Sequence, residues 1–147
     1  MNDELVVGLD EFKEMNSEKP LLYTRDLTTC IAVLLHLDKS CILMHIAAFE
    51  NGDIELQKFT MLVKSRYKEV INAEIFKAPR TQMKCLNQVC DILTKNGISF
   101  QIEDVFKNYS NLTSVGYNYN TKKYYMVDMY MGVPEFIEVP KGYKIIL

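Results

Sequence analysis

Two consecutive apolar runs between residues 30 and 48 constrain this chain more than any other stretch. Cys30-Ile-Ala-Val-Leu-Leu-His-Leu and Cys41-Ile-Leu-Met-His-Ile-Ala-Ala are nearly uninterrupted by polar residues and rich in β-formers. Half-exposed strands alternate apolar and polar residues; continuous runs of this length are typical of buried strands. Only Asp38-Lys39-Ser40 separates the two, and that turn predicts a buried hairpin.

The flanking sequence supplies the other elements. Leu5–Leu9 is a short apolar run, and residues 10–20 are polar and loop-like, anchored by Phe12 and Met15. Leu21–Thr24 reads as a strand and residues 25–29 as a polar loop. After the hairpin the period changes. Leu56, Phe59, Leu62 or Val63, and Tyr67 recur at helical spacing, which predicts an amphipathic helix over about 55–67. A strand over 70–76 follows. A second helix carries Met83, Leu86, Val89 or Cys90, and Leu93, and stops at Asn96-Gly97, residues suited to a left-handed cap. Strands are expected at 98–102, 112–119 and 123–129, with a weakly alternating edge strand in the tail, 136–147. The expectation is one α+β (mixed α/β) domain over 1–147, about eight strands in a β-sandwich-like core flanked by two main helices.

Composition removes several function classes. The 147 residues carry 17 basic and 19 acidic side chains, so there is no basic footprint for nucleic acid or an anionic membrane. No apolar run approaches the roughly 18 residues that span a bilayer. The acidic N-terminus lacks a charged-then-apolar leader, so a cytoplasmic chain with free thiols is expected. Phosphate-loop, dinucleotide, serine-hydrolase and calcium motifs are all missing. The four cysteines form no Cys-x-x-Cys pair, and with only two histidines neither a zinc site nor any other metal or cofactor is expected.

Cysteine with histidine is the chemistry that remains. Cys30 and His36 share a strand, but six residues at about 3.3 Å each separate them by roughly 20 Å. Across a hairpin turning at Asp38, Cys30 faces residues 45–47, which places His45 opposite or diagonal to it. Diagonal partners lie about 7–8 Å apart, within reach of a thiol and an imidazole. Cys30 also follows a loop whose N–H groups can face a developing oxyanion, as nucleophilic thiol catalysis requires. His36 and Cys41 flank the turn and also approach each other, without a preceding donor loop. Cys85 and Cys90, five apart on a helix, point to different sides. Residue types alone leave a plainer reading open, a small core cysteine beside a core histidine. The tyrosines at 117, 119, 124, 125 and 130 fit either a partner-contact surface or ordinary strand residues with one solvated face.

The order of these segments resembles the CheD family of chemoreceptor glutamine deamidases over 7–127. Val7-Gly-Leu-Asp-Glu-Phe is similar to the family's opening segment. Thr24-Arg-Asp-Leu-Thr-Thr-Cys30 resembles its Thr-Leu-Gly-x-Gly-Ser-Cys loop, and Leu43-Met44-His45-Ile46 its apolar-apolar-His-Ile strand. Asn72-Ala-Glu-Ile-Phe and 87–102 continue the likeness. The resemblance implies a CheD-like fold and protein-glutamine deamidation through a cysteine thioester, with methyl-ester hydrolysis open to the same intermediate. It implies Cys30 as nucleophile, His45 as base, Thr24 as the group orienting the imidazole, and a loop containing Thr28 and Thr29 near the oxyanion. The implied partners are glutamine-bearing, chemoreceptor-like helices and a CheC-type regulator, with no nucleic acid and no membrane insertion. The family's loop glycines stand here as Asp26 and Thr28; a positive φ at position 28 would strain a β-branched residue. Two other readings share the same residues: a binding module of weak or no turnover, and a deamidating effector toxin acting on a host protein.

Overall fold

The computed structural model describes residues 3–47, 53–107 and 112–140. The two apolar runs form β3 (Ile31–Leu37) and β4 (Cys41–Ile46), paired antiparallel in the register Ile31↔Ile46 through His36↔Cys41. Every residue of β4 is buried, as is every residue of β3 except His36. Both faces of the hairpin are covered, which explains the unbroken hydrophobicity of its sequence.

Around it the chain builds β1 (Phe12–Met15), β2 (Leu21–Arg25), α1 (Asp53–Arg66), β5 (Val70–Lys77), α2 (Met83–Lys95), β6 (Phe100–Asp104), β7 (Phe106–Lys107), β8 (Thr113–Asn118), β9 (Lys123–Tyr130) and β10 (Val133–Val139). Among the described residues there are thus ten strands and two α-helices, an α+β architecture with two sheets. The first sheet has the order β1-β4-β3-β5-β6 and the second β10-β9-β8-β2, with β7 beside β8. The pairing of β5 with β6 is parallel, and α2 makes the crossover that a parallel pair requires.

Strand alternation divides the core into two layers. On one face of the hairpin, Ile31, Val33, Leu35, Ile42, Met44 and Ile46 pack with Phe59 and Val63 of α1 and Leu86, Val89 and Leu93 of α2. On the other, Ala32, Leu34 and Leu43 meet Leu22, Val115 and Tyr117 of the second sheet. Each fully buried aliphatic side chain contributes about 1.5–3 kcal/mol by leaving water, so the hairpin anchors both layers. The helix ends as its sequence predicts: Gly97 has φ 71°, and the N–H groups of Gly97 and Ile98 donate to the Thr94 and Leu93 carbonyls.

Four expectations are corrected. Residues 12–15 form an edge strand on β4, where a loop was expected. Met15 is fully buried, but Phe12 is 47% exposed and anchors nothing. Met83 is also exposed, so the apolar stripe of α2 begins at Cys85 and Leu86. The last strand starts at Val133, because a turn with Met131 and Gly132 at positive φ folds β10 straight back onto β9. The rest of the predicted tail strand, 141–147, lies outside the described residues, as does Ala48. The tyrosine-rich stretch divides by position: Tyr117 lies in the inter-sheet layer with Tyr119 and Tyr124 packed against it, Tyr125 takes the opposite face of β9 beside Phe136, and Tyr130, at the end of the strand, is 70% exposed.

Candidate functional site

The inter-sheet face of the hairpin carries the even residues of β3 and the odd residues of β4. His45 lies on it, across from Ala32. Extending the register by one pair sets position 30 beside Ala47, so Cys30 is diagonal to His45 on the same face. Cys30, Leu27, Ala47 and Ala78 belong to one buried cluster there. Cys30 precedes the first residue of β3 and exposes 7% of its surface.

Thr24 reaches this face from the other sheet. Leu22 and Thr24 of β2 point inward, opposite Tyr117 and Val115, and Thr24 is fully buried. Its Oγ1 lies 2.7 Å from the Val7 carbonyl oxygen and 2.7 Å from His45 Nδ1. The carbonyl only accepts, so it takes the single hydroxyl proton; Nδ1–H then donates to the hydroxyl oxygen. That fixes the imidazole as the Nδ1–H tautomer with its lone pair on Nε2. Burial pushes the pKa of His45 below the usual histidine range, partly offset by the Asp26 carboxylate, and so favours the neutral ring. Nε2 is buried and has no hydrogen-bond partner among the described residues. Cys30 Sγ thus shares a face with Nε2 without a hydrogen bond between them, and the uncommitted basic nitrogen suits proton abstraction.

Backbone contacts hold this ring in place. Asp10 N–H donates to the His45 carbonyl at 2.9 Å, and His45 N–H donates to Glu11 O at 3.1 Å. Val7 N–H donates to Tyr23 O at 2.8 Å, which fixes the carbonyl that takes the Thr24 proton. Beside Cys30, Thr81 Oγ1 accepts from Ala78 N–H at 2.8 Å and donates to the Cys30 carbonyl at 3.2 Å. Sequence reasoning missed Asp10, Glu11 and Thr81, because each acts through backbone groups far away along the chain.

The loop between β2 and β3 departs from its expected strain. The left-handed residue is Asp26, φ 60°, while Thr28 is not at positive φ. Aspartate adopts this conformation readily, so the loop closes without glycine and without straining a β-branched side chain. Thr28 is exposed and Thr29 half-buried.

A second cysteine–histidine pair sits at the other end of the same face. Cys41 Sγ lies 3.4 Å from His36 Nδ1, and His36 Nε2 lies 2.6 Å from Glu74 Oε1. Glu74 also accepts from the Tyr124 hydroxyl. Cys85 is buried and Cys90 half-buried on α2; both pack on the helix-side core, where different sides of the helix were expected.

Among the described residues, no group of three or more His, Cys, Asp or Glu side chains is placed to hold a metal ion. No described helix is long and apolar enough to cross a membrane. Compared with known proteins, the chain matches no protein-family model and no curated protein. The site therefore stands on its geometry.

Proposed function

We propose that this chain is a cysteine-dependent protein-glutamine deamidase with Cys30 as nucleophile, His45 as base and Thr24 as the residue that orients the base. Cys30 Sγ attacks the side-chain amide carbon of a substrate glutamine, with its proton passing to His45 Nε2. The tetrahedral oxyanion collapses as the C–N bond breaks and the proton leaves with ammonia. Water, deprotonated by the same Nε2, then hydrolyses the thioester to glutamate and restores the thiol. A glutamyl methyl ester follows the same route with methanol as leaving group. The N–H groups of Thr28 and Thr29 are the proposed oxyanion donors. The proposed substrate is a chemoreceptor-like helical protein, with a CheC-type regulator as a further partner.

The observation that carries this proposal is the tautomer at His45: the Thr24 hydroxyl commits the Nδ1 proton and leaves a buried, unpartnered lone pair on Nε2, on the face that holds Cys30. The test is incubation with a glutamine-bearing receptor fragment, reading ammonia release and glutamine-to-glutamate conversion by mass spectrometry. Conversion by the wild-type chain and none by Cys30→Ser is expected. Equal behaviour of the two removes the enzymatic reading.

The low exposure of Cys30 favours a second reading, a binding module on the same fold with little turnover. Alkylation separates the two. Selective reaction of Cys30 at neutral pH supports the enzyme, and uniformly slow reaction of all four cysteines supports the module.

A further inference from the structure

His36 and Cys41 are direct partners in the β3–β4 register, and the turn between them places thiol and imidazole on the inter-sheet face. Glu74 comes from β5, the neighbour of β3 on the other side. The chain of contacts runs Cys41 Sγ to His36 Nδ1 at 3.4 Å, then His36 Nε2 to Glu74 Oε1 at 2.6 Å. A nucleophile beside a base, with the base oriented by a third group, is the general geometry of an activated thiol. The imidazole is further confined by the Tyr117 ring, edge-on at 5.4 Å between centroids, and Glu74 by the Tyr124 hydroxyl.

The charge state agrees with that geometry. Burial opposes a charged His36, yet its bonds to Cys41 and Glu74 outweigh it and raise its pKa to about 9. Burial likewise opposes the Glu74 charge, but hydrogen bonds from His36, Tyr124 and Glu103 hold its pKa below the usual carboxylate range. The ring is then an imidazolium at neutral pH. Both nitrogens then donate, Nδ1–H toward the Cys41 sulfur and Nε2–H to the Glu74 carboxylate.

All three residues line a cavity of about 820 Å³, within the range of about 300–1,000 Å³ usual for small-molecule sites. Of its charged side chains, His36 pairs with Glu74, Lys77 with Asp104 at 3.1 Å, and Glu103 hydrogen-bonds Glu74, while Lys122 lies over the Tyr119 ring and Asp38 stands at the rim in the hairpin turn. Phe100, Ile102, Phe106, Tyr117 and Tyr124 supply apolar wall. The apolar wall beside the paired His36 and Glu74 suits a small uncharged molecule.

We propose that Cys41, His36 and Glu74 form a second nucleophilic site, which takes small uncharged esters from this cavity and hydrolyses them through a thioester on Cys41. The thiolate attacks the acyl carbon, the S–C bond forms, and the C–O bond breaks as His36 Nδ1 gives its proton to the departing alkoxide. The neutral imidazole then takes a proton from water, whose hydroxide displaces the thiolate and yields the acid. Cys41 and His36 carry the chemistry, and Glu74 is a positioning residue that acts through His36.

The test uses the full chain carrying Cys30→Ser, so that its outcome is independent of the deamidase proposal, and p-nitrophenyl butyrate as the probe. A burst of p-nitrophenolate is expected, with the acyl group mapped to Cys41. Cys41→Ser should abolish the burst, and Glu74→Gln should slow it roughly 100-fold, the low end of what acid–base catalysis supplies. Glu74→Gln should also move the alkaline limb of the burst rate, set by His36, to lower pH. Cys41, Glu74, Tyr117, Tyr124 and Glu103 surround that ring, and a purely structural role for Glu74 would leave the limb in place. Circular dichroism melts show whether each variant is folded. Acylation spread over Cys85 and Cys90, or a Glu74→Gln burst equal to its parent in rate and pH profile, overturns the proposal.

Discussion

At the scale of single residues, the candidate deamidase site depends on one hydroxyl proton. Thr24→Val keeps the shape of Thr24 but removes both of its bonds, so Nδ1–H loses its acceptor and the ring is free to adopt the other tautomer. Deamidation should fall roughly 100-fold, within the range for a general base, while Thr24→Ser, which restores the hydroxyl, should recover most of it. Comparing kcat for the two variants checks this. Asp26 acts on the same ring through charge. Its carboxylate raises the pKa of His45 against the lowering by burial, so Asp26→Asn should move the acid limb of the deamidation profile to lower pH. Asparagine tolerates the left-handed backbone at this position as aspartate does, which keeps the loop intact. An unmoved limb would mean that Asp26 is electrostatically silent at His45.

At the scale of elements, much was legible in the sequence, and the exceptions have physical causes. The buried hairpin and the Cys30–His45 diagonal followed from period-two alternation around a three-residue turn, since register and facing are both local consequences of that spacing. Helix α2 was legible down to Gly97 because its stripe and its cap are local too. Strand β1 was not, because only the exposed edge of β4 makes a strand of Phe12-Lys-Glu-Met. Glu74 was equally hidden: its bond to His36 spans 38 residues, and no spacing rule links them. In the second sheet, Gly116 lies between Tyr23 on β2 and Tyr125 on β9. A Cβ there would meet the Tyr125 carbonyl oxygen at 3.1 Å and its Cβ at 3.3 Å. Those contacts involve backbone and Cβ, which cannot swing aside. Gly116→Ala should therefore cost about 1–3 kcal/mol by overpacking, measured as a lower urea midpoint with an unchanged slope.

The whole molecule should lose stability on the alkaline side of neutrality. The folded-state pKa of His36, raised from 6.5 to about 9, gives a contribution complete below pH 6.5 and lost as pH rises through 9. Burial and the neighbouring Glu74 raise Glu103 from 4.5 to about 7, and its contribution is likewise lost as pH rises through 7. Both effects have the same sign, so the melting temperature should decline between about pH 6.5 and 9. Glu103→Gln should flatten the lower part of that decline, and His36→Gln the upper part. Thermal melts at fixed ionic strength across this window decide it, and a wild-type curve flat from pH 6.5 to 9 would refute it.

The bond from Thr24 to the Val7 carbonyl has a consequence for how this chain tolerates change. The acceptor that sets the imidazole tautomer is a main-chain oxygen, and all twenty amino acids supply one. Position 7 can therefore drift among residues that fit its buried niche without altering the proton inventory at His45. A mutational scan would score it as a packing position. Its chemical role would surface only on editing the peptide bond itself, as with an ester linkage that makes the carbonyl a poorer acceptor.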